Sequence, residues 1–310
     1  INLALRDFQG RLERYSQLPP PSTEEVSLSS AAVSPKRQEG RLFQDRSQDL
    51  GINFEHRNSD WLSRLIRGYV AKEEGNETVV RLSIPPAFGG GGVAAEDIDG
   101  DGWIDVLLLG GKGCELYQNQ QGQGFVSKTK QAGINWQRAD GTYPEARQPL
   151  VADFDNDGDQ DIILIYANDD HRVFENLGNW RFRDQTKPAQ LGGAGLVGGP
   201  TTVIDYDRDG LLDIYIGYFG NYLEGELPTL RRHNTNGSPN KLFRNLGDFR
   251  FQDVSAGSGV ENTGWTQAAG HTDLNGDGWQ DLIAGNDFGT NSYYLNNQDG
   301  TFTDVSAEIG

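Results

Sequence analysis

An all-β fold, a β-propeller of four-stranded blades, is predicted by three features of this 310-residue sequence. A nine-residue acidic pattern occurs four times, an apolar run of strand length follows each copy, and glycine-marked turns recur between the runs. The pattern is acidic-x-acidic-x-Asp-Gly-x-x-Asp. It reads Asp97, Asp99, Asp101, Gly102 and Asp105 in the first copy, and Asp153, Asp155, Asp157, Gly158 and Asp161 in the second. The third has Asp205, Asp207, Asp209, Gly210 and Asp213; the fourth has Asp273, Asn275, Asp277, Gly278 and Asp281. Consecutive copies begin about 50 to 70 residues apart, the length of one blade.

Each repeat supplies four strand candidates in order. The first is a short Gly/Ala-rich stretch before the loop: Gly92 to Ala95, Pro149 to Ala152, Thr202 to Ile204, Ala268 to His271. The second is the apolar run after it, such as Asp161-Ile-Ile-Leu-Ile-Tyr166. The third ends in asparagine: Leu116 to Asn119, Val173 to Asn176, Leu242 to Asn245, Tyr294 to Asn297. The fourth is built on Gly-x-Phe around Phe125, Phe182, Phe251 and Phe302. The acidic loops therefore join the first two strands of each blade.

Residues 1–40 read differently from residues 41–310, which hold the blades. Ile1, Leu5, Phe8, Leu12 and Tyr15 are spaced to line one helix face. Pro19 to Pro21 end that helix, and a Ser/Pro/Glu-rich linker follows. The segment either packs on its own domain or docks on another subunit. Leu42-Phe43-Gln44-Asp45 with Gly51-Ile52 resembles a fifth fourth strand, without the other three of its blade. Further blades after Gly310 or from another chain are expected from that surplus, and a four-bladed ring closed on itself stays open beside a partial propeller. The chain starts at Ile1 and contains no Met, which reads as a processed or trimmed polypeptide.

With 27 basic and 45 acidic side chains the net charge is −18, which excludes nucleic acid as the expected partner. No apolar run is long enough for a transmembrane helix. Cys114 is the one cysteine, so neither an intrachain disulfide nor a cysteine-based zinc site can form.

Carboxylates at loop positions 1, 3 and 5, with a glycine at 6, converge on one point, and an all-oxygen donor set selects a hard cation. The flexibility of such a loop suits Ca²⁺ better than the strict octahedron of Mg²⁺. An EF-hand is excluded, because its position-12 glutamate is replaced by Leu108, Leu164, Ile216 and Ala284. The expected ligands are the side chains at positions 1, 3, 5 and 9 of each loop. A main-chain carbonyl is expected from position 7, which is Trp103, Asp159, Leu211 and Trp279. About four Ca²⁺ sites are thus expected, with Asn275 lowering the charge of the last. Fifteen clustered carboxylates would repel one another strongly without a counter-ion, so calcium is expected to be part of the fold.

The Asp-x-Asp-x-Asp-Gly-x-x-Asp loop between two strands resembles the FG-GAP/VCBS repeat of integrin-α-like propellers. Phe43-Gln-Asp, Gly51-Ile-Asn-Phe-Glu-His56, the glycine run 89 to 92, Asn286-Asp-Phe-Gly289 and Leu295 to Val305 resemble the cartilage acidic protein family, of ASPIC/UnbV type. The resemblance spans about residues 41 to 310. It implies a secreted or surface-located propeller of seven or so blades; this sequence departs from that family by stopping after four loops without the usual C-terminal domain, so its end is expected to be missing.

No catalytic motif accompanies the loops. His56, His171, His233 and His271 are scattered, and nucleophile-elbow, phosphate-loop and dinucleotide signatures are absent. No enzyme is expected. The longest insertion, Tyr218 to Asn240, carries Phe219, Tyr222, Arg231, Arg232 and His233, and reads either as a binding loop or as a lid on the neighbouring blade. Trp103 and Trp279 are expected to pack, and Asn76 and Asn236 fit the N-glycosylation pattern. Two functions follow. The preferred one is a secreted or cell-surface, non-catalytic adhesion, matrix or assembly module, binding protein or itself; the alternative is carbohydrate binding or processing on the loop face.

Overall fold

The computed structural model describes residues 44–60, 62–63, 91–220, 234–287 and 289–309. The expected N-terminal helix and linker, Phe43, Asn76, and Tyr222, Arg231, Arg232 and His233 of the insertion lie outside them.

Four antiparallel four-stranded sheets form, each with its strands in chain order. Blade one holds β1 (Val93–Glu96), β2 (Asp105–Gly110), β3 (Gly113–Asn119) and β4 (Phe125–Ser127). Blade two holds β5 (Glu145–Ala152), β6 (Asp161–Ala167), β7 (Arg172–Asn176) and β8 (Phe182–Asp184). Blade three holds β9 (Gly198–Ile204), β10 (Asp213–Tyr218), β11 (Lys241–Asn245) and β12 (Phe251–Asp253). Blade four holds β13 (Thr266–Thr272), β14 (Asp281–Asn286), β15 (Ser292–Asn296) and β16 (Phe302–Asp304). Single helical turns follow β4, β8 and β16: α1 (Thr129–Ala132), α2 (Thr186–Ala189) and α3 (Ser306–Ile309). This is the predicted all-β fold of propeller blades, with each acidic loop between the first two strands.

The strand period of two explains how the blades stack. On β6, Ile162 and Leu164 face blade one and pack with Leu107, Leu109, Leu116 and Ile134. The intervening Ile163 and Ile165 face blade three and pack with Ile214, Ile216 and Phe243. Every residue of β6 and of β10 is consequently buried. On β2 and β14 only one face is covered, and burial alternates or weakens accordingly. A third core joins Tyr215 and Leu242 of blade three to Leu282, Tyr294 and Phe302 of blade four. The first strands run side by side, β1 near β5, β5 near β9 and β9 near β13.

Two linker segments dock on fourth strands in the same way. Phe302 N–H donates to Ser258 O at 2.7 Å, and Phe125 N–H donates to Leu50 O at 2.6 Å. The next residues, Gly259 and Gly51, have φ of +84° and +83°, and a Cβ on either would run into the carbonyl of Phe302 or Phe125. The Gly51-Ile52 segment thus sits on blade one as Gly259-Val260 sits on blade four.

The third-strand expectation needs one correction. In blade four the residue equivalent to Asn119, Asn176 and Asn245 is Asn296, not Asn297: all four donate their main-chain N–H to the position-9 aspartate of their own blade. Adjacent asparagines hid the register.

The base of the long insertion packs on blade four. Phe219 meets Trp265 edge to face at 5.0 Å, and Trp265 Nε1–H donates to Asn236 Oδ1. Asn240 is fully buried; its amide nitrogen donates to Tyr215 Oη and Thr266 Oγ1, and its oxygen accepts from Tyr218 N–H.

Candidate metal centres

Each acidic loop is folded by its own carboxylates. The position-1 side chain accepts main-chain N–H groups from positions 5 and 6: Asp97 from Asp101 and Gly102, Asp153 from Asp157 and Gly158, Asp273 from Asp277 and Gly278. In the third loop Asp205 accepts from Gly210 N–H. The position-5 aspartate accepts the N–H of position 7, from Trp103, Asp159, Leu211 and Trp279. Position 6 needs φ of +87° to +97°, hence glycine in all four copies.

Burial rises through the loop toward the blade. Position 5 is exposed, position 1 is half-buried, position 3 is half-buried in the first three loops and exposed as Asn275 in the fourth, and Asp105, Asp161, Asp213 and Asp281 at position 9 are buried. The position-9 carboxylates each accept two main-chain N–H bonds. One oxygen takes the N–H of position 2, from Ile98, Phe154, Tyr206 and Leu274, at 2.7–3.2 Å. The other takes the blade asparagine N–H at 2.8 Å. Burial nevertheless pushes Asp105 up to about 6 and Asp161 and Asp213 up to about 7.

The asparagines then tie successive blades together. Asn176 Nδ2–H donates to Ile98 O at 3.1 Å, Asn245 to Phe154 O at 2.8 Å, and Asn296 to Tyr206 O at 2.8 Å. Those carbonyls belong to position 2 of the preceding loop, so the position-9 carboxylates are joined through one polar chain. In the sequence these asparagines stand out only as markers of the repeat. Their recurrence after an apolar strand was the available signal, because a buried polar residue needs a partner. Outer contacts also join the loops: Asn156 donates to Gly210 O at 2.8 Å, and Arg208 stacks on Trp279 at 4.3 Å and donates to Gly278 O.

The expected ligand residues converge in three of the four loops. Carboxylate oxygens approach within 4.8 Å of one another in Asp97, Asp99 and Asp101, in Asp153, Asp155 and Asp161, and in Asp205, Asp207 and Asp213. The fourth loop forms no such group of three among the described residues; Asn275 instead bonds to Asp277 through both its amide atoms. Asp99 Oδ1 and Asp205 Oδ1 are buried without a hydrogen-bond partner. An acceptor-only oxygen that is buried and lacks a donor fits a cation, and an all-oxygen set fits a hard one.

The described histidines take no part. His171 is buried between Tyr166 N–H and Tyr218 Oη, His271 bonds Thr202 Oγ1, and His56 is exposed. No helix of the described residues is long and apolar enough to cross a membrane.

The pattern of the FG-GAP-like repeat matches residues 97–164, 153–216 and 273–310, together just over half of the chain. The chain belongs to the FG-GAP-like repeat family. Each matched stretch contains one or two of the acidic loops, so the repeats and the candidate metal centres coincide. No curated protein matches this FG-GAP-like chain. Among solved structures it is similar to an Agrocybe aegerita lectin described as recognising non-reducing terminal N-acetylglucosamine, at 21% identity and a TM-score of 0.39. That match covers 69% of this chain and 51% of the lectin. It is similar also to a Photorhabdus luminescens Tc holotoxin pore (18% identity, TM-score 0.33, 72% of this chain and 9% of that one). A third is the V. cholerae biofilm matrix protein Bap1 (20% identity, TM-score 0.31, 69% and 30%). The FG-GAP-like chain thus spans about half or less of each structure, and the ligands and assemblies named for them are theirs.

Proposed function

We propose that this chain is a calcium-stabilised, non-catalytic extracellular or cell-surface module of adhesion, matrix or assembly type. The observation that carries the calcium reading is the pair of buried, partnerless oxygens, Asp99 Oδ1 and Asp205 Oδ1, inside carboxylate clusters. The side chains at positions 1, 3, 5 and 9 of each loop would hold the ion, with the position-7 carbonyls. Calcium supplies positive charge that lets buried carboxylates stay ionised, and so stiffens the blade junctions they anchor. The ASPIC/UnbV-type resemblance supports placement outside the cell, and the loops' structural use leaves their aspartates no role as free bases.

Thermal unfolding in millimolar Ca²⁺ and then in excess chelator tests the metal reading. At about 100 times Kd each occupied site contributes roughly 2.7 kcal/mol, so chelation is expected to lower the midpoint by many degrees. An unchanged midpoint would overturn it. Self-assembly is tested by light scattering at high concentration, where a strict monomer counts against the assembly version.

A second reading, glycan recognition, is favoured by an open cavity of about 730 Å³ at the β6–β7 turn, lined by Asp170, Arg172, Asp184 and Lys187. Arg172 stacks there on Trp136 at 3.7 Å. Binding on a glycan array that is lost on Arg172→Ala would support it, and an empty array would remove it.

A further inference from the structure

The residue just before the blade asparagine differs in every blade, and in blades one and three it reaches the acidic loop. In blade one Gln118 Nε2–H donates to Asp99 Oδ2 at 2.6 Å. In blade two Glu175 adds negative charge that acts on Asp155, and is itself held by Arg183 at 3.1 Å. Blade four has the apolar Leu295 in this place. In blade three the residue is Arg244. Its Nε lies 2.7 Å from Asp207 Oδ2, and its Nη2 lies 3.0 Å from Asp209 Oδ2. One guanidinium therefore pairs with the third loop's position-3 and position-5 carboxylates together.

We infer that Arg244 is a built-in counter-ion of the third loop, which competes with calcium there and makes the loops load unequally. The inference rests on the reading of the loops as calcium sites. In the first two loops the position-3 carboxylate meets the neutral Gln118 amide or the negative charge of Glu175, whereas in the third one oxygen of each of the position-3 and position-5 carboxylates lies within ion-pair distance of a guanidinium. A divalent ion must displace the guanidinium or bind beside it. A unit positive charge about 5 Å from a divalent ion, in a water-like medium, weakens binding by about tenfold. Asp205 Oδ1 stays without a partner even with Arg244 in place, so the site is attenuated and not abolished. The outcome is a third loop that holds its shape at low calcium, while loops one and two depend on the ion.

Isothermal titration of Ca²⁺ into the full chain and its Arg244→Gln and Arg244→Leu variants tests this. Arg244 is 40% exposed at its side chain, and leucine is what blade four already carries in this place. In both variants one macroscopic constant is expected to tighten about tenfold with the others unchanged, and Arg244→Lys is expected to keep the weak constant. Adding Asp207→Asn to Arg244→Gln should remove the gain, which locates it in the third loop. Calcium binding with constants unchanged in both variants would overturn the inference alone. Absence of calcium binding in every protein would overturn the calcium reading with it.

Discussion

Asn245 donates its side-chain amide to the main-chain carbonyl of Phe154 at 2.8 Å, across the boundary between blades three and two. The same amide also reaches Leu212 O, its oxygen accepts from Gly247 N–H, and its main-chain N–H is bound by Asp213. A single buried residue thus connects a strand end, its own loop and the loop of the preceding blade. Contacts of this kind make blade stacking directional, which hydrophobic burial alone does not.

Asn245→Ala is expected to lower stability by about 2 to 4 kcal/mol, because it leaves two carbonyls without that donor in a dry junction. Asn119, half-buried and donating only to Ile104 O within its own blade, is the control. Asn119→Ala should cost under about 1 kcal/mol. Urea unfolding in saturating calcium measures both, and equal losses would remove the inter-blade role.

Within one loop, positions 5 and 9 should respond differently to neutralisation. Asp101 is exposed and Asp105 is buried with both oxygens accepting main-chain N–H bonds. Asp101→Asn is expected to weaken calcium binding while leaving chelated stability nearly unchanged. Asp105→Asn sets an amide donor against a main-chain donor and should cost roughly 2 kcal/mol even in chelator. Melting curves in calcium and in chelator separate the two behaviours.

A pH dependence arises far from the acidic loops, at His171. Its Nδ1 accepts from Tyr166 N–H, so the neutral ring carries its proton on Nε2 and donates to Tyr218 Oη at 3.0 Å. Burial lowers its pKa to about 3, below the ordinary 6.5. The unfolded chain therefore binds this proton first as pH falls, and stability is full above about pH 6.5 and declines toward pH 3 by up to about 1.4 kcal/mol per unit. The difference in stability between the wild type and His171→Gln should shrink over that window. A difference constant between pH 7 and pH 4 would contradict a neutral buried ring.

Gly51→Ala and Gly259→Ala should behave alike. Both glycines have positive φ, and a Cβ on Gly51 would lie 2.7 Å from Phe125 O. Each substitution is expected to cost roughly 1 to 3 kcal/mol through strain and loss of the linker's hydrogen bond to its fourth strand. A silent Gly51→Ala beside a costly Gly259→Ala, read as midpoint shifts, would show that residues 46–52 do not dock as the later linker does.

The blades and the loops were legible in the sequence because both are local. Alternating apolar residues within six or seven positions specify a strand, and the Asp/Gly spacing specifies a turn whose carboxylates face inward. The all-β class, the strand order and the placement of the loops are accordingly as read. The register of Asn296 was missed because Asn297 satisfies the same local pattern, and only the bond to Asp281 separates them. The bonds of Asn176, Asn245 and Asn296 to preceding blades, and the reach of Arg244 into the third loop, join residues that no local pattern relates. Local periodicity by itself determined what each blade is; packing of whole blades decided how they join and which loop carries its own counter-ion, because hydrogen bonds and charges act on distances in space and not along the chain.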